Sequence, residues 1–189
     1  MQIIGITGTL GAGKGTVVKY LVEKKGFEHY SVRGFLIEAL RERSMEINRD
    51  TMTSLANKLR KENSPSYIVE QLAKKAIDNN KSCVIESIRT PGEVKALREY
   101  PDFVLLAIDA DLKLRYERIK KRNSETDNVS FDTFVANEKR EMFSNDPNKQ
   151  NLSSCIEMSD YKINNDSSLE HLHKSIDEFL KKLEYKAKE

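Results

Sequence analysis

The chain has 189 residues, 38% hydrophobic and 33% charged, with 32 basic and 30 acidic side chains and a net charge of +2. That length suits one domain with a single core, and so balanced a charge gives no electrostatic reason to expect a nucleic-acid polymer as partner. No apolar run reaches the about 18 residues of a membrane span, the strand pattern starting at Gln2-Ile3 leaves no room for a signal peptide, and Cys83 and Cys155 are too few for a disulfide framework or zinc site, so a cytoplasmic protein, monomeric or at most dimeric, is expected.

Ile3-Ile4-Gly5-Ile6 reads as a buried strand, and Gly8 to Thr16 follows it as Gly-Thr-Leu-Gly-Ala-Gly-Lys-Gly-Thr. Val17, Val18, Leu21 and Val22 then repeat at helical spacing until Gly26. A glycine, four residues and then Gly13-Lys14, set between strand and helix, is the pattern of a phosphate-binding loop. Its glycines let successive N–H groups converge on one anion, and the following helix points its positive dipole end at the same place. Gly11, Ala12, Gly13, Lys14, Gly15 and Thr16 are therefore expected to hold the phosphates of ATP, with Lys14 reaching the outer ones. The hydroxyl that commonly ligates magnesium right after the lysine comes one residue late, as Thr16.

Phe27 to Val32 can form a second strand. Phe35, Leu36, Ala39 and Leu40, then Met52, Leu55, Ala56 and Leu59, give two helical stripes. Ser64-Pro65 reads as an N-cap and first helical position, opening a helix with Val69, Leu72, Ala73 and Ala76 inward. Ser82 to Ile88 is a third strand, and Thr90 with Glu93 has capping-box spacing. The apolar run from Phe103 to Ile108 suits a strand covered on both faces. A helix from about Leu112 to Arg122 follows, then polar residues to Asn128, then a helix capped by Ser130 and running to Met142. Ser144 to Ser154 reads as loop, Asp160 to Asn164 as the fifth strand, and Ser167 with Glu170 as the capping box of a last helix. Strands and helices alternating along the chain predict an α/β fold with five parallel strands and helices on both faces. One domain spans 1–189, with excursions at 34–80 and 123–142.

Arg115, Arg118 and Arg122 share one helix face just past the fourth strand, at the sheet edge where ligands of open α/β folds bind. The run Cys83 to Thr90 ends a buried strand in Glu86, placed to hold magnesium through water, and in Arg89, at the height of an acceptor phosphate. A strand-end salt bridge is the alternative reading of Glu86 and Arg89.

The ending Gly13-Lys14-Gly15-Thr16 resembles the loop of adenylate kinase and its small-kinase relatives. Arg115 to Arg122, Arg-Tyr-Glu-Arg-Ile-Lys-Lys-Arg, resembles the lid-entry helix of nucleoside monophosphate kinases and dephospho-CoA kinase, implying that Arg118 stacks on adenine and Arg122 contacts phosphates. Arg140 resembles the arginine on the helix leaving the lid. Glu86-Ser87-Ile88-Arg89-Thr90 is similar to Asp-Gly-Phe-Pro-Arg-Thr of adenylate kinase, one residue shorter between acid and arginine, which implies that Arg89 binds the acceptor. His29 to Leu36 resembles the start of the monophosphate-binding segment. The family's threonine and arginine are replaced here by Val32 and Ile37, which leaves Ser31, Arg33 and Arg41 as candidate acceptor contacts. Tyr67 and Gln71, one turn apart, are either base contacts or ordinary half-buried helix residues. Met158 to Glu170 resembles the closing segment of dephospho-CoA kinase, implying adenine contacts around Asn165; a turn and cap account for the same residues.

The resemblance implies a P-loop NTPase fold and an ATP- and magnesium-dependent phosphotransferase acting on a small phosphorylated acceptor, a nucleoside monophosphate first. Lys14, Arg122, Arg140 and Arg89 would act on the transferring group, with 123–142 closing as a lid. Dephospho-CoA kinase is the alternative acceptor class, and a nucleotide-dependent ATPase or switch module the alternative outside kinases.

Overall fold

The computed structural model describes residues 1–122 and 128–186. In chain order it has β1 (Ile3–Gly8), α1 (Lys14–Lys25), β2 (Glu28–Ser31), α2 (Val32–Glu42), α3 (Arg49–Glu62), α4 (Tyr67–Asn79), β3 (Cys83–Glu86), α5 (Pro91–Leu97), β4 (Phe103–Asp109), α6 (Leu112–Arg122), α7 (Phe131–Met142), α8 (Leu152–Glu157), β5 (Tyr161–Asn164) and α9 (Leu169–Lys186). The strands form one parallel sheet ordered β2-β3-β1-β4-β5.

Side chains alternate across a strand, and here both faces are covered. Ile3, Cys83, Ile85, Phe103 and Leu105 pack under α2 to α5 and α8, while Ile4, Ile6, Val84, Leu106 and Ile108 pack against α1 and α9. That double burial is why the strands read as unbroken apolar runs. The alternation of strand and helix puts the ends of β1, β3 and β4, with Gly8, Glu86 and Asp109, at one carboxyl edge of the sheet.

Local punctuation follows the sequence closely. Gly26 closes α1 in the left-handed region, its N–H donating to the carbonyls of Leu21 and Val22. Thr90 and Glu93 make both hydrogen bonds of the capping box at α5, and Ser130 caps α7.

Three details differ. Ser64-Pro65 forms a turn, with the Tyr67 N–H donating to the Ser64 carbonyl, so α4 begins two residues later than expected. The polar stretch before β5 contains α8, capped by Asn151 and anchored by buried Leu152 and Cys155. The cap of α9 is Ser168, whose Oγ accepts from the His171 N–H, and not Ser167.

Residues 123–127, the centre of the expected lid, lie outside the described residues. Their flanks are packed together: Tyr116 of α6 meets Phe131 and Phe134 of α7 at ring-centre distances of 5.1 and 5.6 Å. Among the described residues no helix is long and apolar enough to cross a membrane.

Candidate functional site

The loop from Gly8 to Gly13 leaves β1 at the carboxyl edge and turns into α1. Gly8 has φ +128°, and a Cβ there would stand 1.9 Å from the Ile108 carbonyl oxygen, so no other residue fits against β4. At Gly13 a Cβ would lie 2.3 Å from Asn165 Nδ2, which donates to the Ala12 carbonyl; glycine is what lets the loop after β5 brace the phosphate loop.

Lys14 Nζ donates to the carbonyls of Gly8 and Thr9 at 2.7 and 2.6 Å, folded back on its own loop. Burial, helped by the nearby Arg89 and Arg115 charges and opposed by Glu141 and Glu86, lowers its pKa from 10.5 to about 7. A triphosphate favours the ammonium form, so at pH 8 binding must return a proton to a largely neutral Lys14, and affinity falls as pH rises above about 7. Calorimetric titration with ATP at pH 8 in buffers of different ionisation enthalpy should report uptake of most of a proton, absent in Lys14→Met. Buffer-independent heat would contradict this.

Glu86 closes the space beside Lys14 from the end of β3. Ser31, which also caps α2 by accepting from the Gly34 N–H, donates to Glu86 Oε1 at 2.9 Å, and His29 Nε2 lies 3.4 Å away. Burial alone would raise the Glu86 pKa. The hydrogen bonds from His29 and Ser31 and the charges of His29 and Lys14 outweigh it and hold the carboxyl below its ordinary value. The chain then turns sharply through Ser87, at φ +69°.

Lys14, Glu86 and Ser87 line one cavity of about 850 Å³ with two unlike halves. Around the loop and α1 it meets Thr16, Arg118, Ile119, Arg122, Asn165 and Leu169. Arg118 Nη2 donates to the Asn165 carbonyl at 2.8 Å, tying α6 to the loop after β5. The other half is walled by α2 and α3, with an apolar strip of Leu36, Met52 and Ala56 beside Arg33, Arg49, Arg60 and Arg89. Glu141, from α7, projects between two of these arginines: Arg49 Nη2 donates to Oε1 and Arg89 Nη1 to Oε2, the latter at 2.9 Å. Arg89 Nη1 also donates to Gln150 Oε1 at 2.9 Å. Burial would raise the Glu141 pKa, but Arg89, Arg49 and Lys14 keep it below the usual carboxylate range.

Lys14, Gly11, Gly13, Gly15, Thr16, Glu86, Arg89, Arg118, Arg122, Asn165 and Arg33 thus meet in one enclosure. Others of the expected set do not. Arg140 is exposed on the far side of α7, donating to Asn137, because the helix turns Glu138 and Glu141 inward instead. Arg41 is exposed on α2, and Tyr67 and Gln71 lie outside the cavity, where α3 forms the wall in place of α4. Ser31 contributes through Glu86. Arg115 is buried and structural: it bonds Ala110, Leu10 and both oxygens of Glu138, joining the phosphate loop to α7. Arg49, Arg60, Glu141 and Gln150 are cavity residues that sequence reasoning did not single out.

A glycine-rich loop with an invaginated lysine between the central strand and first helix of a parallel five-stranded sheet defines the P-loop NTPase class. Residues 4–144 match the family model described as AAA domain. The UPF0200 protein of Methanothermobacter thermautotrophicus is 30% identical over 192 residues, covering 100% of this chain and 94% of the relative. The chain belongs to this AAA-domain family and to the UPF0200 proteins. Among solved structures, shikimate kinase from Aquifex aeolicus superposes with a TM-score of 0.58 at 16% identity, covering 98% of both chains. Dephospho-CoA kinase from Campylobacter jejuni gives 0.55 at 14% identity, over 96% of this chain and 97% of that one. The fold is therefore the one these kinases use.

Proposed function

We propose that the chain is an ATP-dependent phosphotransferase that moves the γ-phosphoryl group to a small phosphorylated acceptor, a nucleoside monophosphate being the favoured class. The supporting observation is that one cavity holds a phosphate loop at one end and a cluster of arginines at the other. Positive charge on both sides of a transferring phosphoryl group is what that chemistry needs. Lys14 and the loop amides would take the donor's phosphates, Arg118 and Asn165 its base, and Arg122 the transferring group. Arg89 would hold the acceptor phosphate. Thr16 and Glu86 face the cavity with hard oxygen atoms, a donor set that fits a magnesium ion carried mainly by the nucleotide's phosphates. Magnesium would neutralise charge developing between the phosphates. An acceptor that is already a phosphate anion needs no general base.

The second reading, a hydroxyl acceptor such as that of dephospho-CoA, draws on one observation: Glu86 is held ionised against the cavity and could serve as base. An assay with ATP and magnesium across ribo- and deoxynucleoside monophosphates and dephospho-CoA separates them. Transfer only to dephospho-CoA favours the second reading, and hydrolysis indifferent to every acceptor overturns both.

Arg89→Ala is expected to raise KM for the acceptor about tenfold or more while changing KM for ATP little, because it removes a charge-assisted contact of about 1.5–3 kcal/mol. An equal or larger effect on ATP would place Arg89 on the donor side.

A further inference from the structure

The acceptor half contains a donor that nothing satisfies. Arg60 is 2% exposed, its Nε and Nη2 donate to Glu93 Oε1 at 3.1 and 2.7 Å, and it lines the cavity, yet its Nη1 has no hydrogen-bond partner among the described residues. Leaving a buried guanidinium N–H group unmade is costly, so such groups mark a strain reservoir or an unfilled site. The same Glu93 accepts the Arg89 and Thr90 N–H groups through Oε2, which sets Arg60 directly under the turn that carries Arg89.

In the donor half Arg118 Nη1 is likewise without a partner among the described residues; in the acceptor half the resident anion explains why Arg49 and Arg89 are engaged and Arg60 Nη1 is not. A carboxylate has two oxygens, and those of Glu141 are taken by Arg49 and Arg89. A phosphate monoester presents three terminal oxygens, one for each arginine. Building on the phosphotransferase reading, we infer that Arg49, Arg60 and Arg89 form a three-point seat for the acceptor's phosphate, which Glu141 fills incompletely until the acceptor displaces it. Arg60 is then the residue that distinguishes a phosphate from a carboxylate. The acceptor is a phosphate monoester, and an acceptor recognised through a carboxylate alone is disfavoured.

Calorimetric titration with inorganic phosphate and, separately, acetate tests the seat, with ADP saturating the donor half. Wild type should bind phosphate in preference to acetate. Arg60→Lys, which keeps a cation against Glu93, should bind phosphate about ten- to a hundredfold more weakly with acetate unchanged. Glu141→Gln should bind phosphate more tightly, because the competing charge is gone. No phosphate uptake by wild type, or equal phosphate affinity in wild type and Arg60→Lys, overturns the inference. Should Arg60→Lys not fold, Glu141→Gln decides alone, and unchanged or weaker phosphate binding there overturns the seat. The two readings fail separately: transfer to nucleoside monophosphates without a phosphate seat removes only the seat. A seat without transfer to any acceptor removes the phosphotransferase reading and leaves an anion site.

Discussion

Lys14→Ala is expected to lose about a hundredfold or more in phosphoryl transfer, the usual consequence of deleting one preorganised charge at a reacting group, while remaining folded. The expectation of a retained fold has a specific basis. Among the described residues Lys14 Nζ donates to two carbonyls of its own loop, Gly8 and Thr9, and its burial already disfavours the charged form. Alanine gives up those two bonds but also removes a desolvated ammonium, so the changes oppose each other. The loop's shape is set elsewhere, by Gly8 against β4 and by Asn165 on the Ala12 carbonyl. The measurement is single-turnover transfer from ATP beside a thermal unfolding curve. Near-normal turnover in a folded Lys14→Ala protein would remove the lysine from the transition state and, with it, the reading of the loop as a catalytic device.

What could be read from the chain alone was whatever depends on neighbours in sequence. The phosphate loop needs glycines, a lysine and flanking elements within a short window, and it was legible down to the left-handed glycines. The β4 run and the Thr90–Glu93 box were legible for the same reason. Helix α8 was not, because its burial rests on Leu152 and Cys155 alone in an otherwise polar stretch. The acceptor half was hidden more deeply, since Arg49, Arg60, Arg89 and Glu141 come from two helices and a strand-end turn that only the tertiary fold brings together. A signal existed nonetheless. Met52, Ala56 and Arg60 fall at i, i+4 and i+8, which places an arginine on the apolar face of α3. The misplaced Arg140 has the same explanation in reverse. Buried Phe134 fixes the inward face of α7, Glu138 and Glu141 follow it at i+4 and i+7, and position 140 is turned away. A resemblance over a few charged residues matched composition where helical phase should have decided.

Glu93→Gln is expected to be the most destabilising single change in the site, by about 3–5 kcal/mol, because it breaks a buried ion pair from one side. Glu93 is fully buried, and each of its oxygens is committed: Oε1 to Arg60 Nε and Nη2, Oε2 to the N–H groups of Arg89 and Thr90. All four are donors. An amide in place of the carboxylate must therefore point its NH₂ either at a guanidinium or at two backbone N–H groups, and it leaves the Arg60 charge uncompensated where water cannot reach it. For a chain of this length the loss corresponds to a fall in Tm of roughly 6–20 °C, a large part of the stability a domain of this kind possesses. The double variant Arg60→Met, Glu93→Met should recover only part of it: removing both charges relieves the uncompensated guanidinium, but the Arg89 and Thr90 N–H groups still lose their Oε2 acceptor. That double variant should nevertheless bind the acceptor poorly, because Arg89 loses the anchor of its backbone and the cavity loses Arg60. Thermal unfolding of Arg60→Met, Glu93→Met and the double variant completes the cycle. A Glu93→Gln protein melting within a degree or two of the wild type would mean that the pair is not closed off from solvent. The turn carrying Arg89 would then owe its position chiefly to its other bonds, from the Asn151 N–H to the Arg89 carbonyl and from Thr7 Oγ1 to the Ile88 carbonyl.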